Sequence, residues 1–232
     1  MMLLKAWNSK ILKTLKRSDG LGKPAEPATI NRELACLRSI FKRALTDQKI
    51  ASNPLVGFKM LLEDNVRNRV LSDEEYHRLL EHAPKHIVPI IETAWETGMR
   101  AGEILSLKWE QVDSTNGVIR LSGEKTKTGR SRVVPISPRL DEVLTGLPRI
   151  NEYLFTFKGQ RLRDFRTAFQ KAKNGAGLRG LWFHDLRHCF VTRMRRKGVA
   201  DRVIMAITGH QTFECFRRYD TIDLTDLAKA VG

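Results

Sequence analysis

Between Gly117 and Ile136 the spacing of apolar residues switches from helical steps of three and four to alternation. That switch restricts the chain to a mostly helical fold interrupted by a small sheet. Val118-Ile119-Arg120-Leu121 and Ser131-Arg132-Val133-Val134-Pro135-Ile136 read as two short strands, and the basic loop SGEKTKTGR between them makes a hairpin. The expected class is mainly α with a small antiparallel β-sheet (α+β).

On either side of the hairpin the period is helical. Residues 29–48 place Ile30, Leu34, Leu37, Phe41 and Leu45 on one face, with Arg32, Arg38, Lys42 and Arg43 on the others. Residues 3–17 predict a shorter basic helix, ended by the turn signal Ser18-Asp19-Gly20. Asn53-Pro54 closes this unit, and the polar EDNVRNR segment, Glu63 to Arg69, reads as an extended linker. Ser72-Asp73-Glu74-Glu75 then opens a new helix as a capping box, Ser72 and Glu75 satisfying amide donors that the first turn leaves without partners. Further helices are expected at 86–97, 101–109, 138–146, 161–174, 184–197, 201–207, 212–218 and 224–231. The pattern divides the chain into a small helical unit (1–62), a linker (63–70) and a larger domain (71–232) with a tail from 222 to 232.

Lys and Arg number 41 against 26 Asp and Glu, a formal charge of +15, which points to a polyanionic partner and foremost to nucleic acid. The three cysteines, Cys36, Cys189 and Cys215, are far apart and lack C-x-x-C spacing, so neither a disulfide framework nor a cysteine zinc site is expected. The compartment reads as reducing and cytoplasmic. No apolar run approaches a membrane span.

The hexapeptide Phe183-His184-Asp185-Leu186-Arg187-His188 resembles the zinc-protease pattern H-E-x-x-H, and fails it on two counts. Asp185 is one methylene shorter than the glutamate that would activate a metal-bound water. Arg187 would place a fixed positive charge beside a dication. An arginine there suits an anion, since its planar fork can bind two phosphate oxygens together. His184 and Arg187, three apart on a helix, project to one side and can share a phosphate. No metal and no cofactor is expected. His188 and Cys189 read as structural, and Trp182, Phe183 and Phe190 as core framing this helix.

Four stretches in order, TGMRAGEILSLKWEQVD, EKTKTGRSRVVPI, HDLRHCFVTRM and TGHQTFECFRRYDTI, resemble the tyrosine recombinase (phage integrase) family across roughly residues 70–225. The resemblance implies that Arg100, Lys127, His184, Arg187, His210 and Tyr219 are catalytic. Lys125 is the rival of Lys127, and Glu103 supports Arg100. It implies a small helical core-binding domain ahead of a catalytic domain, and a site-specific recombinase or integrase that cuts and rejoins DNA through a 3′-phosphotyrosyl bond without metal or ATP. The partners implied are double-stranded DNA recombination sites and further copies of the chain, as a tetramer on DNA and a monomer in solution, with tail 222–232 docking on a neighbour. Arg32, Arg38, Lys42, Arg43, Lys125 and Arg130 are the expected backbone contacts to DNA. The first unit is shorter than the family's usual four-helix unit, and no additional arm-type domain is expected. A type IB topoisomerase, sharing the chemistry but rejoining the same strand, and a catalytically silent DNA-binding regulator are the alternatives.

Overall fold

The structure, a computed structural model, describes residues 25–63, 69–123 and 129–217. The helices expected at 3–17 and 224–231, Lys125, Lys127, Tyr219 and the tail all lie outside the described residues. Two compact units divide the chain, Met1–Val66 and Arg67–Gly232.

In the first unit, helix α1 (Pro27–Thr46) starts with proline at its first position, where a missing N–H costs nothing. The segment after it is fastened back by Asn31. Its amide donates to Leu61 O at 2.9 Å and Glu63 Oε1 at 2.7 Å, while its oxygen accepts from Leu61 N at 2.9 Å. Arg38 donates to Phe58 O. The apolar face predicted for α1 is only partly covered, since Leu37 and Leu45 remain exposed.

The second unit opens with α2 (Asp73–Glu81), and Ser72 and Glu75 form the predicted reciprocal cap. Helix α3 (Val88–Thr97) is buried on nearly every side, Ile90, Ile91, Ala94 and Trp95 among its core residues. It ends at Gly98, where φ is +63° and a Cβ would stand 2.6 Å from the Phe190 ring, so glycine is required twice over. Helix α4 (Ala101–Leu105) follows. It stops four residues short of the predicted 109, and Trp109–Gln111 form a 3-10 turn leading into the sheet.

The sheet has three antiparallel strands, β1 (Val112–Asp113), β2 (Val118–Leu121) and β3 (Arg132–Pro135), in that order. Ile119 pairs with Val134, both buried, which is the alternation the sequence carries. After α5 (Pro138–Thr145) a second hairpin pairs β4 (Thr156–Phe157) with β5 (Gln160–Arg161) around Lys158 and Gly159, both at positive φ. Strands of two residues give no readable period, so β1, β4 and β5 were not expected. The helix predicted from 161 starts instead as α6 (Arg166–Gly175), with Asp164 Oδ1 accepting from Arg166 N at 2.7 Å. Helices α7 (Asp185–Arg196), α8 (Asp201–Thr208) and α9 (Phe213–Arg217) complete the described chain. Helix α7 is the central one, with Asp185 through Thr192 all buried. Among the described residues no helix is long and apolar enough to cross a membrane.

Candidate active site

Four separate chain segments meet at one end of α7. The turn from Gly98 to Glu103 brings Arg100 and its acid, the root of β3 brings Arg132, the start of α7 brings His184 and Arg187, and the end of α8 brings Thr208, Gly209 and His210.

Arg187 is only 1% exposed, and a buried cation is tolerated only with its N–H groups satisfied. Its Nη1 donates to Gly98 O at 2.8 Å and Thr208 O at 2.7 Å, the carbonyls at the C-terminal ends of α3 and α8. Its Nη2 lies 2.9 Å from His210 Nε2 and 3.3 Å from Nδ1. The tautomer of His210 follows from the network. Thr208 Oγ1 donates its one proton to Ile204 O at 2.7 Å, so it can only accept from His210 Nδ1, 2.7 Å away. Nε2 is therefore the unprotonated nitrogen and accepts from Arg187. Burial, then the charges of Arg187 and Arg100 and the nearby His184 and His188, push the His210 pKa down to about 3, so the ring is neutral at pH 7.

Arg100 caps α4 and keeps part of its side chain exposed. Glu103 accepts from Arg100 Nη1 at 3.1 Å and from Arg100 N at 2.9 Å, and Arg100 Nη2 reaches Gly209 O at 3.5 Å. Burial pushes the Glu103 carboxyl up, but the hydrogen bonds and charge of Arg132 and then those of Arg100 more than reverse this, leaving it below the ordinary carboxylate value. The acid at R-x-x-E spacing thus bonds both the backbone N–H and the guanidinium of Arg100.

His184 stands at the open edge of the site, where lost hydration and then the charges of Arg187 and Arg100 lower its pKa. The rings of His184 and His188 meet edge to face with centroids 5.9 Å apart, and Asp185 accepts from Trp182 N at 2.8 Å. Among the described residues no cluster of three or more His, Cys, Asp or Glu side chains has metal-binding geometry. Trp182, expected in the core, is 60% exposed beside His184, whereas Phe183 packs edge-on against Phe165 and Phe169 and Phe190 is buried. Phe183 and Phe190 thus frame the helix, while the Trp182 ring faces outward.

Of the other expected site residues, Arg130 is exposed and lines a cavity of about 450 Å³ with Arg132, Met205 and His210. Arg32, Lys42 and Arg43 are exposed on α1, Arg43 pairing with Asp47 at 3.0 Å. Sequence reasoning missed two members of the site. Thr208 fixes the His210 ring. Arg132 lies 3.0 and 2.6 Å from the two Glu103 oxygens, and it shares a strand face with buried Val134. An arginine at an inward strand position needs a buried partner, and that was the available signal.

Two guanidinium groups and two imidazoles lie close enough for their charges to act on one another, a set of donors suited to a tetrahedral anion. The sequence pattern of the phage integrase family matches residues 69–224, which contains every residue of this site. The chain belongs to the phage integrase family. Its relatives in that family include a shufflon-specific DNA recombinase of Escherichia coli, 34% identical over 206 residues, covering 85% of this chain and 52% of the relative. The integrase of Salmonella phage P22 is 26% identical over 213 residues, covering 85% and 54%. The chain therefore spans about half the length of these relatives. Among solved structures, the Tn1549 transposon integrase in complex with a circular intermediate DNA superposes with a TM-score of 0.73 at 19% identity, over 99% of this chain and 93% of that one. That likeness establishes the mostly helical fold with its small antiparallel sheet.

Proposed function

We propose that this integrase-family chain is a site-specific recombinase that cuts and rejoins double-stranded DNA. What supports the reading is the clustering of Arg100, His184, Arg187 and His210 near the start of α7, close enough for their charges to act on one another. The names of the relatives, recombinase and integrase, support strand exchange over simple relaxation or silent binding.

In this reading the scissile phosphate enters between Arg100 and Arg187, which neutralise the charge that grows on the nonbridging oxygens in the transition state. A phosphate oxygen replaces His210 Nε2 as the acceptor of the Arg187 Nη2 hydrogen. His210 then takes up a proton and donates it in a third hydrogen bond to the phosphate. Tyr219 Oη attacks phosphorus, passing its proton to His184. The bond from phosphorus to the 5′ oxygen breaks, and Lys127 protonates that leaving oxygen, with Lys125 the less favoured donor. The phosphotyrosyl ester retains the energy of the bond broken, so attack by another 5′ hydroxyl reverses the steps without ATP.

The unit 1–62 serves as a small core-binding domain joined through 63–70 to the catalytic domain 71–232. Exposed Arg32, Lys42 and Arg43, with Arg130, Lys125 and the partly committed Arg38, contact the DNA backbone. Four copies assemble on paired sites through the tail 222–232, in the cytoplasm where the DNA lies.

The test is adduct capture. The protein is incubated with nicked duplexes of randomised sequence, covalent complexes are separated on a denaturing gel, and the captured DNA is sequenced. Wild type should yield an adduct of defined sequence and Tyr219→Phe none. An adduct that survives Tyr219→Phe overturns the nucleophile, and no adduct from wild type overturns the function.

A further inference from the structure

Arg132 opens strand β3, the strand that leads out of the hairpin loop carrying Lys125 and Lys127. Its side chain turns inward and is only 7% exposed. Three N–H groups are committed. Nη1 donates to Glu103 Oε1 at 3.0 Å, Nη2 to Glu103 Oε2 at 2.6 Å, and Nε to Ile207 O at 2.9 Å. The first two form a parallel fork on a single carboxylate, the strongest geometry available to an arginine. The third reaches the last turn of α8, one residue before Thr208.

The same carboxylate holds Arg100 through both its backbone N–H and its Nη1. Without Arg132, Glu103 would face Arg100 alone and could rotate or draw the guanidinium away from the site. With it, both carboxylate oxygens are fixed in plane, and the direction of Arg100 is fixed with them. Gly209 supplies an independent sign that this packing is built in. A Cβ there would lie 3.0 Å from Arg132 Nη1 and 3.1 Å from Cζ. The glycine before His210 leaves room for the guanidinium as well as adopting a φ of +75°.

We propose that Arg132 is a positioning residue for phosphoryl transfer: it locks Glu103 and through it Arg100, and ties the hairpin strand to the end of α8 that carries His210. It touches no reacting atom. Its charge is cancelled by Glu103, so its contribution is to direction and not to binding of the phosphate. The proposal rests on the recombinase reading, and its test separates the two.

Arg132→Lys keeps the charge beside Glu103 but cannot bond both carboxylate oxygens and Ile207 O together. Wild type and variant are compared in single-turnover adduct formation on the captured duplex, once with its natural scissile phosphate and once with an uncharged methylphosphonate there, and in thermal unfolding. A misdirected Arg100 should slow cleavage of the natural phosphate roughly tenfold to a hundredfold. On the methylphosphonate, which places less charge before Arg100, the same variant should lose less than about threefold. Equal rates for both proteins on the natural phosphate overturn the proposal, as does an equal loss on both substrates, the mark of a scaffold defect. If wild type forms no adduct with any duplex, the recombinase reading itself has failed; if wild type reacts and Arg132→Lys reacts equally, only the positioning role is lost.

Discussion

Arg187 is asked to do two things, and replacing it by methionine and by lysine separates them. Methionine fills much of the same buried space and removes the charge. It leaves Gly98 O and Thr208 O without the donors now 2.8 and 2.7 Å away, at the ends of two helices. Each buried carbonyl left unpaired costs about 1–3 kcal/mol, and relief of the guanidinium's own desolvation offsets part of that, so a net loss of about 2–4 kcal/mol is expected. For a domain of this size each kcal/mol moves Tm by about 2–4 °C, which gives a fall of about 4–16 °C in a calorimetric scan. Lysine retains a cation with three donors that can serve both carbonyls, and should lose about half as much. Its ammonium has no planar fork to reach past them toward His210, so adduct formation on the captured duplex should collapse in both variants. If Arg187→Met melts within about one degree of wild type, the two carbonyls are satisfied by other means and the structural half of the assignment is wrong. If Arg187→Lys cleaves at the wild-type rate, the chemical half is wrong.

Gly209→Ala combines a left-handed φ, costing about 1–2 kcal/mol for any residue with a Cβ, with pressure on the Arg132 guanidinium. Its Tm should fall by several degrees and its adduct yield more steeply than its DNA affinity in a filter-binding assay; unchanged cleavage would mean that Arg132 shifts without consequence. The neutral His210 makes two pH statements. An unfolded histidine protonates near pH 6.5 while the folded ring holds out to about 3, so the unfolded state binds the extra proton between those values and stability falls as pH drops through that window. His210→Asn should flatten that part of the stability curve. A bound phosphate raises the depressed pKa, so DNA binding should take up protons and tighten as pH falls, visible as a calorimetric heat that changes with buffer ionisation enthalpy. Binding heats that are the same in every buffer would refute it.

The helices of the second unit were legible because each carries local signals: the Ser72 and Glu75 cap, the Thr97-Gly98 stop and the apolar steps of α7. The β2–β3 pair was legible because four residues per strand suffice for alternation, whereas the two-residue strands β1, β4 and β5 are defined only by their partners. The candidate reacting groups come from the family resemblance of four stretches in order. What holds them was not legible there, because it lies in contacts across the chain: Arg132 with Glu103 spans 29 residues and Arg187 with Gly98 spans 89. Trp182 shows the same limit from the other side, since nothing in its neighbours tells which aromatic of the Trp182-Phe183 pair meets Phe165 and Phe169.

The two buried arginines are stabilised in different ways, and the difference bears on what the site can attract. Arg132 lies in a parallel fork with Glu103, whose full negative charge cancels its own. Arg187 Nη1 is held by carbonyls at the C-terminal ends of α3 and α8, and a helix C-terminus carries roughly half a negative charge. These carbonyls accept from Nη1 without supplying a mobile counter-charge. Beside it, Glu103 is shared between Arg100 and Arg132, so that trio keeps a net positive charge. Positive charge is thus concentrated where Arg100, Arg187 and the two imidazoles lie near one another, and on the proposed reading a phosphodiester there would replace the acceptor at His210 Nε2. A carboxylate placed opposite Arg187 in that position would make the folded protein more stable and the anion site inert.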